Sequence, residues 1–158
     1  MQDYDHGDSN LQIPEKIIPD DQRASLRQML DALSKTVELH TYAGEEVANS
    51  QNLMSRFTVQ LTNELAECSA RIKAVRHSAA EAKKLAGPAG LPSIGIKAEG
   101  AEHFALRMVG APLEQEGVAL IKAIRMVGSG ENELSRAARQ SLAKLTEPRE
   151  IMVFGLGT

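Results

Sequence analysis

Apolar residues recur along residues 20–86 at alternating spacings of three and four, the pattern of a helix face that packs in a coiled coil. Counted in one unbroken register, the apolar positions of this seam are Leu26, Leu30, Leu33, Val37, Val47, Met54, Leu61, Leu65, Cys68, Ile72 and Val75. A helix start is expected at Pro19 to Asp21, and Gly87-Pro88 supplies a stop. The pattern predicts a long amphipathic helix that associates with copies of itself.

The middle of this seam is weak, because His40, Gly44, Gln51 and Thr58 occupy seam positions. Two structures fit: one helix of roughly 65 residues and about 100 Å, or a hairpin broken near Gly44. The unbroken register favours the continuous or gently kinked helix. The apolar residue types are mixed along the seam, so they do not decide between a dimer and a trimer.

The rest of the chain divides by composition. We expect an extended arm over residues 1–19, a glycine- and proline-rich connector over 87–111, two shorter helices within 112–146, and an apolar tail over 147–158. The tail residues expected to dock on a partner are Ile151, Val153, Phe154 and Leu156. Together with the long helix of residues 20–86, these segments predict an all-α protein.

Composition narrows the class of protein. Aromatic residues make up only 3% of the 158 residues, and tryptophan is absent, which removes the side chains that usually line ligand pockets. The net charge of −3 gives no general attraction to nucleic acid or to anionic membranes. Neither a signal peptide nor an apolar run long enough to span a bilayer is visible, so a soluble protein is expected, cytoplasmic or within a virion or another large assembly.

Candidate chemistry is sparse. The single cysteine, Cys68, lies on the seam, where an apolar environment makes a thiol inert. Glu99 and His103 stand one helical turn apart, yet two ligands do not close a metal site. His40 either sets the register between partner helices or responds to pH, or it marks a bend in the helix. We therefore expect no catalytic residue, no metal, no cofactor and no small-molecule substrate.

One local basic cluster offers possible phosphate contacts, and its members are Arg71, Lys73, Arg76, Lys83 and Lys84. Without interleaved aromatic residues, such a cluster is more typical of a solvated helix face, and nucleic-acid binding is disfavoured.

The sequence alone thus predicts a non-enzymatic structural or assembly protein, a homo-oligomer that also contacts neighbouring proteins in a large complex such as a phage virion. Two alternatives remain open. One is a small coiled-coil regulatory protein associated with DNA. The other is a helical adaptor or chaperone for one protein partner.

Overall fold

Helices and strands alternate along the chain in this computed structural model, which describes residues 12–43, 53–86, 90–147, 151 and 153. In chain order the elements are α1 (Asp20–Asp31), β1 (Val37–Tyr42), α2 (Leu53–Cys68), β2 (Ile72–Arg76), α3 (Ala79–Ala86), β3 (Ser93–Ala98), β4 (Leu106–Val109), α4 (Glu114–Ser129) and α5 (Arg136–Leu142).

The expectation of an all-α protein is wrong. Residues 20–86, expected to form one coiled-coil helix or a helical hairpin, contain three helices and two strands. The physical reason is visible in Val37–Tyr42, where buried and partly exposed residues alternate with the period of two that a strand requires. Val37 and His40 also fit the three-and-four spacing, so a heptad count runs through this strand without a break.

The strands form a mixed sheet in the order β2-β1-β3-β4. The central strand β1 pairs in parallel with β2, with Val37 opposite Ile72, and antiparallel with β3, with Tyr42 opposite Ser93. β4 pairs antiparallel with β3. The carboxyl ends of β1 and β2 therefore lie at the same edge of the sheet, which we call the carboxyl edge, and β3 begins there.

One face of the sheet carries the apolar core. From β1 and β3 it receives Val37, Leu39, Ile94 and Ile96, all fully buried. Helices α2 and α4 pack on these strands through side chains that include Leu65, Leu120 and Ile124. Thr41 continues this face, where its hydroxyl lies 3.0 Å from that of Thr62 on α2.

A buried carboxylate joins the segment before α1 to α2. Glu64 accepts hydrogen bonds from the backbone amides of Ile17 and Ile18 at 2.8 and 2.9 Å. The Arg23 guanidinium and the Gln60 amide donate to the same carboxylate, at 2.8 and 2.9 Å. Burial alone would raise the pKa of Glu64, but these donors outweigh it and hold the pKa below its usual value.

The last two helices differ in how they are anchored. Gly130 caps the carboxyl end of α4, and its positive φ of 73° suits glycine. Ser135 caps the start of α5 through its hydroxyl, which accepts a hydrogen bond from the Ala138 amide at 3.1 Å, yet none of the residues of α5 is buried. Across the described segments of the chain, no helix is both long and apolar enough to cross a membrane.

Candidate functional site

The sheet face opposite the core is polar, and we call it the polar face. Alternation along β1 turns Glu38, His40 and Tyr42 away from the core. The strand registers place the following residues beside them on the same face: Lys73 and Val75 from β2, Ser93, Gly95 and Lys97 from β3, and Arg107 from β4. His77, directly after β2, joins this face at the carboxyl edge, where its amide donates to the Thr41 carbonyl at 3.0 Å.

His40 and His77 are joined through their ring nitrogens. Nδ1 of His40 lies 2.8 Å from Nε2 of His77, a normal hydrogen-bond distance. The ring planes differ by 23°, and the ring centroids are 5.0 Å apart. Because the short contact joins nitrogen to nitrogen, the rings meet edge to edge and do not stack face on face.

Glu38 holds the other side of the His40 ring. Its carboxylate oxygen lies 3.0 Å from Nε2 of His40, and Nζ of Lys97 lies 3.4 Å from the same oxygen. The hydrogen bond from His40 is the main cause that lowers the pKa of Glu38, and Lys97 adds to it against the opposing effect of burial. Glu38 is therefore a carboxylate acceptor at neutral pH.

Glu81 is held near the far side of His77 by the start of α3. Ser78 and Glu81 form a capping box: the Ser78 amide donates to the Glu81 carboxylate at 2.9 Å, and the Glu81 amide donates to the Ser78 hydroxyl at 3.3 Å. This local motif leaves the other Glu81 oxygen 3.7 Å from Nδ1 of His77. The result is a row of four side chains, Glu38, His40, His77 and Glu81, which we call the histidine row.

Two aromatic rings pack against the histidines of the row. Tyr42 stacks on His77 with ring centroids 4.2 Å apart and planes 13° apart. Phe104 meets His40 edge-on at 5.0 Å and covers Gly95, where the absence of a Cβ leaves room for the ring. Arg107 donates to the Ser93 hydroxyl at 3.0 Å and lies over the Tyr42 ring. Pro92, just before β3, follows a cis peptide bond.

The arrangement is suited to moving protons. The Glu38 carboxylate and the two imidazoles are joined by hydrogen bonds, and the Glu81 carboxylate lies 3.7 Å from His77. An imidazole can both accept and donate a proton. No group of three or more histidine, cysteine or acidic residues is placed to hold a metal ion within the described residues.

Solved structures share this fold. The NTD_N/C domain of the alkylhydroperoxide reductase AhpF of Enterococcus faecalis superimposes with a TM-score of 0.63 at 18% identity, covering 78% of this chain and 59% of that chain. A cysteine-to-alanine mutant of AhpF from the same organism gives 0.61 at 21% identity, covering 80% and 60%. A protein disulfide oxidoreductase of Aeropyrum pernix gives 0.62 at 21% identity, covering 81% and 55%. The fold is thioredoxin-like.

These three matches span only 55–60% of the solved chains. No protein-family model and no curated protein matches the sequence.

The thioredoxin-like fold overturns the functional expectation. The expected functions were those of a non-enzymatic structural or virion protein, a coiled-coil DNA-associated regulator and a helical adaptor. All three depended on a helical rod, whereas the described residues form a sheet covered by helices. The structural neighbours are redox proteins and not assembly proteins, so the expectation that the chain is no enzyme is contradicted as well.

The expected seam residues do not form one stripe. Seven of them are buried in the shared core: Leu30, Leu33, Val37, Leu61, Leu65, Cys68 and Ile72. Leu26 is partly buried against that core, Met54 is exposed, and Val75 lies on the polar face. Val47 lies outside the described residues.

The expected phosphate contacts and docking tail are dispersed. Arg71, Arg76 and Lys84 are exposed, Lys73 forms an ion pair with Glu99, and the side chain of Lys83 lies outside the described part. In the tail, Ile151 and Val153 are 81% and 87% exposed, whereas Phe154 and Leu156 lie outside the described residues.

Sequence reasoning missed the histidine row. His40 is visible as a polar position within an apolar pattern, but its partner His77 is 37 residues away and is brought close only by the parallel pairing of β1 and β2. The Ser78-Glu81 capping box was a local signal for a helix start that could have been found.

Proposed function

We propose that this chain is a thioredoxin-like component of a thiol–disulfide redox system, and that it binds a cysteine-bearing polypeptide at the carboxyl edge of its sheet. The partner contributes the cysteines that exchange, and this chain contributes the binding edge and its acid–base groups.

The observation that carries this proposal is the position of the histidine row. His77 and Tyr42 close the carboxyl edge of β2 and β1, beside Ser93 at the start of β3. The solved structures that share the fold are named as an alkylhydroperoxide reductase and a protein disulfide oxidoreductase. Chemistry on a thiol requires a proton acceptor, because the thiolate is the reactive form.

The cysteine count supports a partner that supplies the sulfur atoms. The chain contains one cysteine, so these 158 residues cannot form an internal disulfide. Cys68 is 3% exposed and ends α2, just before the amino end of β2. Burial raises the pKa of its thiol. The carboxyl edge is at the other end of the strands from Cys68. The six-residue strand β1 spans roughly 17 Å, and this is about the distance between Cys68 and that edge.

Binding of a short extended peptide with two cysteines separated by two residues tests the proposal. In an amide NMR titration we expect shift changes to concentrate at Tyr42, His77 and Ser93. The matched control is the same peptide with serine in place of both cysteines, which should bind several-fold more weakly. If the amides of the carboxyl edge remain unchanged at saturating peptide, or if the serine peptide binds equally well, the proposal is wrong.

We further propose that the chain associates with copies of itself. The apolar side chains beyond α4 support this, because Leu134, Leu142 and Leu145 are 45–52% exposed. Light-scattering mass across a dilution series measures it, with the triple substitution of these leucines by serine as the matched variant. A mass of one chain, 17.1 kDa, at every concentration would contradict association.

A further inference from the structure

The contacts of the histidine row determine where its hydrogens lie. An ionised Glu38 can only accept, so Nε2 of His40 carries a hydrogen and donates it across the 3.0 Å contact. In neutral His40 this leaves a lone pair on Nδ1. The 2.8 Å contact then requires Nε2 of His77 to donate to it. Nδ1 of neutral His77 is consequently an open acceptor that faces Glu81.

We propose that Glu38, His40, His77 and Glu81 form an acid–base site that accepts one proton, at Nδ1 of His77, from a thiol of the bound partner. The source of the proton rests on the redox function proposed above. In this step the S–H bond of the partner cysteine breaks and an N–H bond forms on His77. The electron pair stays on sulfur, which becomes a thiolate, and no oxidant or reductant takes part.

The row holds one proton and not two. After the first proton arrives, the hydrogen between His40 and His77 can be shared, and Glu38 and Glu81 lie near the two ends of the charged pair. A second proton would place two N–H groups opposite one another across the 2.8 Å contact. That state requires the hydrogen bond between the rings to break, so proton binding at one ring depends on the other, and we call the two rings the coupled pair.

The other charged groups of the polar face are already partnered. Lys97 lies beside Glu38, and Lys73 of β2 pairs with Glu99. Arg107 of β4 is held by Ser93 and the Tyr42 ring. Burial raises the pKa of Tyr42, so its phenol stays neutral where it stacks on His77. The carboxylates of Glu38 and Glu81 are thus the charged groups that interact most directly with a proton bound to the histidine row.

Access favours His77 as the point of entry. Its side chain is 20% exposed, whereas that of His40 is 13% exposed and is covered by Phe104. His77 also lies at the carboxyl edge, which is where the proposed partner binds. A proton therefore reaches His77 first, and His40 responds through the bond between the rings.

Imidazole nitrogen NMR across a pH series tests the coupled pair without any partner. On the alkaline side we expect both His40 and His77 to carry hydrogen on Nε2. On acidification both rings should move along one shared curve that totals one proton. His103, which is 83% exposed, lies outside the row, and His103→Asn should leave the signals of the row unchanged.

Two observations would overturn the coupled pair: a hydrogen on Nδ1 of neutral His40, or two independent curves that each total one proton. Glu38→Gln provides a second check, because a glutamine amide can donate to Nε2 of His40 and release its tautomer. The nitrogen signals of His40 should then show hydrogen on Nδ1 as well as on Nε2. An unchanged tautomer in this variant would remove Glu38 from the row.

The thiol step is measured by alkylation of the two-cysteine peptide with iodoacetamide at saturating protein. We expect the bound peptide to react about tenfold faster at neutral pH with the parent chain than with His77→Asn. Equal rates, with the peptide bound in both cases, would overturn the acid–base role and leave the proposed binding intact. Failure of the peptide to bind would instead refute the proposed function, and the NMR curves would still decide the coupled pair. If His77→Asn does not fold, His77→Gln replaces it.

Discussion

Gly128 of α4 lies directly against Leu33, so that a Cβ added to the glycine would be 2.9 Å from both terminal carbons of the leucine. The same Cβ would be 3.0 Å from a methyl group of Val37. Leu33 and Val37 are both buried, which leaves them little room to move. The carbonyl of Gly128 also accepts hydrogen bonds from the Lys35 amide and the Ser34 hydroxyl, each at 2.9 Å.

Gly128→Ala should therefore destabilise the fold. Alanine gains about 1 kcal/mol of helix propensity over glycine, but overpacking against the buried side chains costs roughly 1–3 kcal/mol. We expect a net loss of about 1 kcal/mol in urea unfolding. The matched control is Gly117→Ala in the same helix, where the nearest atom is 3.4 Å from the new Cβ. This control should stabilise the protein, and a stabilised Gly128→Ala would contradict the packing.

Glu64→Gln should weaken the attachment of the segment before α1. The carboxylate now accepts hydrogen bonds from two backbone amides. A glutamine would place its NH2 group, which is itself a donor, against one of these amides, and this costs about 1–3 kcal/mol. Thermal unfolding and amide exchange at Ile17 and Ile18 measure the loss. Unchanged protection of these two amides would show that another group holds the segment.

Glu64 also gives the stability a pH dependence. Its pKa in the folded chain is below the ordinary glutamate value. The stabilisation is therefore complete above that ordinary value, about pH 4.3, and is lost as the pH falls through the folded pKa. In Glu64→Gln this part of the acid-induced loss should disappear. Parallel acid unfolding curves of the two proteins would contradict it.

Gly95→Ala should displace Phe104 from the histidine row. A Cβ at Gly95 would lie 2.8 Å from the Phe104 ring, and Phe104 is partly exposed, so its ring can turn outward. We expect a small loss of stability, under about 1 kcal/mol, with clear changes in the ring signals of His40. The control is Phe104→Leu, which removes the ring and leaves Gly95. If the ring signals of His40 stay unchanged in both variants, Phe104 does not affect the histidine row.

The Cys68 thiol should be unreactive in the folded protein. Burial raises the pKa of its thiol, and the Arg23 and Arg27 charges counteract this only in part. We expect iodoacetamide to modify it at least tenfold more slowly in the native protein than in urea, since access and thiolate formation both fall. Mass spectrometry of both samples measures the modification. Similar rates would show that the thiol is open to solvent.

The sequence predicted where two of the helices start, but it did not predict the sheet. Pro19 and Pro112 mark the starts of α1 and α4, and each helix begins one or two residues later. These are local signals. The strand β1 was missed because Val37 and His40 satisfy a helical spacing as well as a strand alternation, and nothing local decides between them.

The candidate site could not be read from the sequence, because it depends on long-range pairing. Glu38 and His40 are two residues apart. Once β1 is assigned as a strand, its alternation places both side chains on the same face. His77 joins them only through the parallel register that sets His40 opposite Val75. That register follows from the crossover through α2, and the apolar pattern alone does not specify it.

The two faces of β1 place different demands on neighbouring residues. Val37 and Leu39 face the core, where a change in volume is costly, while Glu38 and His40 face the histidine row. Substitutions at the second pair change the hydrogen-bonding groups of the histidine row and leave the apolar core intact. A lineage could therefore exchange the polar groups of this sheet one residue at a time and keep its fold, so that closely similar chains need not share the same chemistry.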